Sequence, residues 1–192
     1  MLWTRLAQAL LSRPLPNPAP EVPADAAAAL AVRLAESARL RLGRSLAIRE
    51  IDAGSCNGCE LEIAALSGIA YDLERFGLRF VSSPRHADLL LVTGPVTRNM
   101  AEALRRAHAC MPGHGGRPGS GWVVAAGDCA ADGGCFRTSA AVEGGVGAVL
   151  PVDLVIPGCP PSPVQLLEGL LALLDAHSRA DSTKAGAPDG RG

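Results

Sequence analysis

Residues 87–94 read ADLLLVTG, an apolar run with no polar alternation. A strand that shows one face to water alternates; a strand buried on both faces does not. This run therefore predicts a central strand covered by layers above and below it. Its neighbours along the chain fit that demand. LAIREID (46–52), LRFVSS (78–83), GWVVAAG (121–127) and VDLVIPG (152–158) read as further strands. Residues 58–67, 70–76 and 98–109 read as helical, and SPVQLLEGLLALLDA (162–176) as a final helix. That helix has a marked start: Ser162 can cap, Pro163 suits the first helical position, and Gln165 stands where a capping box wants it. Strands alternating with helices predict an α/β domain with a parallel sheet flanked by helices in three layers. No internal repeat interrupts the pattern.

The domain is expected to span residues 45–177. Residues 1–44 divide into an amphipathic helix over 2–12, the proline-rich linker RPLPNPAPEVPADA, and a second helix near 26–42 with Leu30, Leu34 and Ala38 at helical spacing. The tail SRADSTKAGAPDGRG, residues 178–192, lacks large apolar side chains and is expected to be disordered. Arg5 and Gln8 break the only apolar stretch near the start, so it reads neither as a signal peptide nor as a membrane span. With 18 Lys and Arg against 19 Asp and Glu, the chain has no basic stripe, and nucleic acid is not an expected partner. Aromatics make up 3 %, so Leu, Val, Ile and Ala must build the core.

Four of the six cysteines follow predicted strands directly. Cys56 and Cys59 follow 46–52, Cys129 follows 121–127, and Cys159 follows 152–158. Strands of an open parallel sheet all point one way, so their C-terminal ends share one edge, where ligands bind. Topology alone then gathers the four thiols. Gly54, Gly58, Gly127 and Gly158 stand beside them and permit close backbone approach. Asn57 and Glu60 resemble a helix-capping pair, which would put Cys59 in a first turn whose amides favour the thiolate. Pro160 removes one amide donor next to Cys159. A redox dithiol would need only the Cys-x-x-Cys pair and leaves Cys129 and Cys159 unexplained. A Cys₄ zinc site usually brings two paired knuckles in a small ribbon, and here there is one pair. An iron–sulfur cluster needs four cysteines without paired knuckles. A [4Fe–4S] cluster is the better fit, and spacing alone leaves [2Fe–2S] open.

The segments SCNGCELEI, SPRHADLLLVTGPVT, GDCA-x-x-GG and PVDLVIPGCPPSPVQLLEGLLALL, in this order across about residues 46–175, resemble the small-subunit family that includes the B subunit of complex I and the small subunits of group 4 membrane-associated [NiFe] hydrogenases. The resemblance implies a flavodoxin-like domain binding one [4Fe–4S] cluster through Cys56, Cys59, Cys129 and Cys159, with no catalytic residue of its own. Complex I subunits carry two adjacent cysteines in the first motif, and hydrogenase-type subunits carry Cys-x-x-Cys, as here. The chain looks most like the small subunits of formate hydrogenlyase and related energy-converting hydrogenases. That implies an electron-transfer subunit at the cytoplasmic face of the inner membrane, peripheral to it. Its implied partners are a [NiFe]-hydrogenase-like or complex-I-like large subunit, a ferredoxin-like Fe–S subunit and membrane subunits. The alternatives are a nickel-free complex-I-like or quinone-linked assembly and, from another class, a zinc-stabilised binding module. Cys135, in GGCF, departs from the family pattern; six residues beyond Cys129 it is within reach of the cluster, with a buried or loop thiol of no role as the plainer reading, and Cys110 receives no role.

Glu60 and Glu62 are candidates for proton relay or partner contact, with a helix cap and a solvated carboxylate as the plainer readings. Arg85 and His86 are a candidate subunit contact, and Thr93 to Thr97 a second loop on the cysteine edge. His108, His114 and His177 lack metal-ligand spacing. EGGVGAV (143–149) lacks the strand-before, helix-after setting of a dinucleotide fingerprint. The apolar face of the 2–12 helix suits a membrane surface or a membrane subunit. Deleting residues 1–20 is expected to release the protein from membranes while sparing its metal content, as fractionation followed by iron analysis would show.

Overall fold

The computed structural model describes residues 24–112 and 121–185. Residues 1–23, with the expected 2–12 helix and the proline-rich part of the linker, His114 and residues 186–192 lie outside that range, while the linker's last three residues, Ala24 to Ala26, open the first helix. The chain runs α1 (Ala24–Leu42), β1 (Leu46–Asp52), α2 (Gly58–Leu66), β2 (Leu78–Phe80), β3 (Leu89–Thr93), β4 (Val96–Thr97), α3 (Arg98–Ala109), β5 (Trp122–Ala126), α4 (Asp128–Asp132), β6 (Val142–Gly144), β7 (Leu154–Ile156) and α5 (Pro163–Ala185). Short 3-10 turns at Leu73–Phe76, Pro84–His86, Gly134–Phe136 and Val146–Ala148 complete it.

Five strands form one sheet in the order β2-β1-β3-β5-β7, every neighbouring pair parallel. Counting only these five in chain order, the arrangement is 2-1-3-4-5, the flavodoxin-like order, with its switch point between β1 and β3. The unbroken apolar runs behave as their composition demands. Leu89 and Leu91 face one side of the sheet, Leu90 and Val92 the other, and all four are sealed from water. Trp122, Val124 and Ala126 divide from Val123 and Ala125 in the same way. One side packs against α1, α2 and α5 through Leu34, Ile63, Leu66, Leu166 and Leu170. The other packs against α3 through Ala101 and Leu104. The helix at Ala24–Leu42 is thus part of the covering layer, contributing Ala31, Leu34 and Ala38 to the core.

The start of α5 is the capping box read from the sequence. Gln165 Oε1 accepts from Ser162 N–H at 2.8 Å, and Ser162 Oγ accepts from Gln165 N–H at 3.4 Å. The helix then continues to Ala185, beyond the point at which its apolar pattern stops and into the segment read as tail. The segment 70–76, expected to be helical, forms only the 3-10 turn at Leu73–Phe76, entered through Asp72 at a left-handed φ of 43°. The antiparallel β4–β6 pair has no counterpart in the sequence reading. Its strands are two and three residues long, too short to carry a periodic signal.

Asp88 fastens the N-terminal edge of the sheet. It is fully buried, and its carboxylate receives Arg44 Nη1 at 2.8 Å, Arg44 Nη2, and Ala47 N–H at 3.0 Å. Its carbonyl accepts from Gly121 N–H at 2.7 Å, so one residue connects the approach to β1 with the start of β5. Removing one partner of a buried pair costs about 3 kcal/mol or more. Because Arg44 still reaches water, Asp88→Ala is expected at about that lower bound, read as a fall in the urea midpoint at an unchanged slope.

Candidate metal centre

The loop after β1 is shaped by its own carboxylate. Asp52 Oδ1 accepts from the N–H groups of Gly54 and Ser55, both at 2.7 Å, and turns the chain off the strand. Ser55 Oγ accepts from Asn57 N–H at 3.1 Å. Asn57 then takes a left-handed φ of 71° and makes no side-chain cap, so the expected Asn57–Glu60 capping pair does not form. A residue in that backbone conformation cannot aim its amide along the helix start. Cys59 does fall in the first turn of α2, buried against the sheet.

Two further loops close on this one. Gly127 N–H donates to Ile156 O at 2.8 Å, Asp128 N–H to Gly158 O at 2.9 Å, and Gly158 N–H to Asp128 Oδ1 at 2.8 Å. These three bonds join the Cys129 loop to the Cys159 loop. Gly127 is there for a steric reason. Its φ is 94°, and a Cβ would fall 2.6 Å from Cys59 Sγ. Gly94, after β3, has φ 70° and sits where a Cβ would meet Ser55 N at 2.6 Å.

Cys56, Cys59, Cys129 and Cys159 line one cavity of about 90 Å³ with Gly58, Gly94, Gly158 and Pro160 between them. Cys59 feels the other three thiols. Burial, then the Glu60 charge, then Cys129, Cys56 and Cys159 push the Cys59 thiol up to about 12 from the usual 9.0. This reverses the expectation that the first helical turn would favour its thiolate: α2 is a short helix, and desolvation outweighs its amides. Cys129 is also pushed up, first by burial and next by Cys135. Among the described residues no three His, Cys, Asp or Glu side chains converge on a single ion. The four cysteines instead share the walls of one cavity.

Behind Cys59 lies a pair of carboxylates. Both Glu60 oxygens are buried without a hydrogen-bond partner among the described residues. Glu50, on β1, is pushed up by burial first and by Glu60 next. Glu62 is half-buried and lines none of the cavity. Of residues 93–97, Gly94 reaches the cavity; Thr93 Oγ1 donates to Ile51 O at 3.4 Å and Thr97 Oγ1 to Ala53 O at 3.0 Å, holding the loop bases together. Arg85 and His86 are exposed and flank a separate cavity with Arg44 and Arg79, all before or early in their strands and so on the sheet edge away from the cysteines. His108 is buried in α3, and Cys110 is exposed at that helix's end. His177 belongs to the backbone of α5. Cys135, which the sequence set within reach of the cysteine edge with a thiol of no role as the plainer reading, lies beside Cys129. Its spacing of six residues from Cys129 and the intervening Gly-Gly were the available signal.

Residues 56–173 match the family model described as NADH ubiquinone oxidoreductase, 20 kDa subunit. Formate hydrogenlyase subunit 7 of Escherichia coli is 41 % identical over 134 residues, covering 70 % of this chain and 50 % of that protein. The probable membrane-bound hydrogenase subunit mbhJ of Pyrococcus furiosus is 39 % identical over 134 residues, covering 70 % of this chain and 77 % of that one. Thus the chain spans about half the length of the first relative and about three-quarters of the second. A chain in the solved structure of the membrane-bound sulfane sulfur reductase, an archaeal respiratory membrane complex, superposes with a TM-score of 0.61 at 30 % identity over 78 % of each chain.

The raised Cys59 thiol has a direct chemical consequence. Alkylation needs the thiolate. A pH between 7 and 10 stays well below about 12, so Cys59, the buried one of the four, should react slowest, its rate rising about tenfold per pH unit across that whole window. Peptide mass spectrometry after timed iodoacetamide treatment reads this. A Cys59 rate that levels off below pH 10 would contradict the burial seen here.

Proposed function

The chain belongs to the NADH ubiquinone oxidoreductase 20 kDa subunit family, and from that premise we propose that it is the electron-transfer small subunit of a membrane-associated, multi-subunit [NiFe] hydrogenase-type oxidoreductase. It would carry one [4Fe–4S] cluster on Cys56, Cys59, Cys129 and Cys159. The observation that carries the reading is the meeting of four cysteines, from three separate strand-end loops, around one cavity. Such a cluster supplies one-electron transfer with no bond made or broken in the protein.

The chain's own residues have three tasks. The first is to hold four thiolates together, and the hydrogen bonds of Asp52 and Asp128 to loop amides fix the loops that bear them. The second is to exchange protons for metal. Cys59 must give up a proton that burial holds firmly, so loading the site releases protons and becomes more favourable as pH rises. The third is to limit exposure. Cys59 is buried while Cys56 and Cys159 are exposed, which leaves one side of the site open to a partner. Bond-breaking chemistry would belong to that partner, a large subunit facing the cysteine edge. Attachment to the membrane would be peripheral, through other subunits or the N-terminal segment; no helix among the described residues is long and apolar enough to cross a membrane. Cys-x-x-Cys at 56–59 favours the hydrogenase-type partner over the complex-I type.

Anaerobic purification followed by iron, zinc and acid-labile sulfide analysis tests the reading. Four irons and four sulfides per chain are expected, with a reducible electron paramagnetic resonance signal that disappears in Cys59→Ala and Cys129→Ala. Zinc without sulfide would overturn it.

A further inference from the structure

The chain doubles back on itself just after α4. Gly133 and Gly134 take φ values of 93° and 51°. Gly133 N–H donates to Cys129 O at 2.8 Å, Gly134 N–H to Asp132 Oδ1 at 2.8 Å, and Phe136 N–H to Gly133 O at 3.0 Å. Arg137 closes the turn on Asp132 at 3.4 Å. A Cβ on Gly134 would lie 2.7 Å from Cys129 Sγ, so the backbone passes as near that sulfur as a chain without a side chain permits. This fold-back sets Cys135 beside Cys129, whose thiol it influences most after burial. Cys129, Cys135 and Cys159 also share a second cavity of about 420 Å³, adjoining the first through Asp128, Cys129 and Cys159. The fifth thiol is therefore held in place by its own turn.

Resting on the cluster reading above, we propose that Cys135 is a positioning residue for the cluster, donating its S–H and N–H to the sulfur of Cys129 and so holding the midpoint potential up. The direction of donation follows from proton count. A cysteine bound to iron has no proton and can only accept, which leaves Cys135 as the donor. Reduction adds negative charge that the ligating sulfurs share. A donor aimed at one of them stabilises the reduced form more than the oxidised form and raises the potential. No bond forms or breaks; one electron arrives from a partner and the proton stays on Cys135. Cys159 is treated in the opposite way, since Pro160 after it has no N–H to give.

Cys135→Ala removes the S–H and keeps the backbone N–H; Cys135→Ser keeps a hydroxyl donor at the same place. Each full-length variant is purified anaerobically with the subunits that accompany it. Iron and sulfide are counted, and the cluster is titrated by electron paramagnetic resonance. The expected result is an unchanged iron and sulfide content, a midpoint shifted to more negative potential in Cys135→Ala, and a return toward the unmodified value in Cys135→Ser. A loaded Cys135→Ala with an unshifted midpoint would overturn this inference and leave the cluster reading intact. Loss of iron from Cys135→Ala would also overturn it, by making Cys135 a ligand. An unmodified protein without iron and sulfide would remove both readings together.

Discussion

The site depends on strands that all run one way. Parallel pairing of β1, β3, β5 and β7 brings their C-terminal ends to one edge, and each cysteine-bearing loop leaves from that edge. Alignment alone would leave three separate loops. Backbone groups are then paired across them: Asp128 with Gly158, Gly127 with Ile156, and Ala53 with Thr93 and Thr97. Buried amides and carbonyls must find partners, and here they find them in neighbouring loops. The cavity is thus walled by hydrogen-bonded backbone before any metal is considered.

That wall is hostile to the charge it is proposed to hold. Cys59 is buried, its thiol is pushed up to about 12, and the nearest strong charge is the Glu60 carboxylate. Glu60 itself lacks a hydrogen-bond partner among the described residues, an arrangement that ordinarily costs a few kcal/mol. A cationic core at the cysteines would relieve the first, but four thiolates would leave the loaded site net negative, so Glu60 would gain nothing from it. A thiolate at Cys59 becomes favourable only in the company of a cation, so protons would compete with metal for that sulfur, and more strongly as pH falls.

How much of this was legible depends on whether the determinant was local. The strand at 89–93 could be read because burial on both faces leaves an unbroken apolar run, and the start of α5 because Ser162, Pro163 and Gln165 act within one turn. The cysteine edge was legible at one remove, through the rule that parallel strands share a direction. Asn57 misled because its capping pattern is a side-chain preference, whereas the structure needed a left-handed residue there to turn the chain into α2. Nothing local announced that α1 covers the sheet beside α5; its apolar stripe fits a neighbouring helix as well as a free surface. The Cys135–Cys129 contact was half legible. Two consecutive glycines signal a sharp turn, but its direction is set by Asp132 and Arg137 pairing across it.

Two opposed electrostatic influences then meet at the four sulfurs. Carboxylates surround the edge, but they are not equivalent. Asp52 and Asp128 have their charge met by loop amides at 2.7–2.8 Å, so much of their field is spent locally. Glu60 has no such compensation, and its field falls on Cys59, the most buried of the four. Negative charge beside Cys59 disfavours an added electron. The proposed hydrogen bonds from Cys135 to Cys129 would favour one. The two influences act on sulfurs carried by different helices, one on α2 and one on α4. A bound cluster would therefore have unequal sulfurs, and its added electron would be held more comfortably toward Cys129, the side where exposed Cys135 and Phe136 also lie.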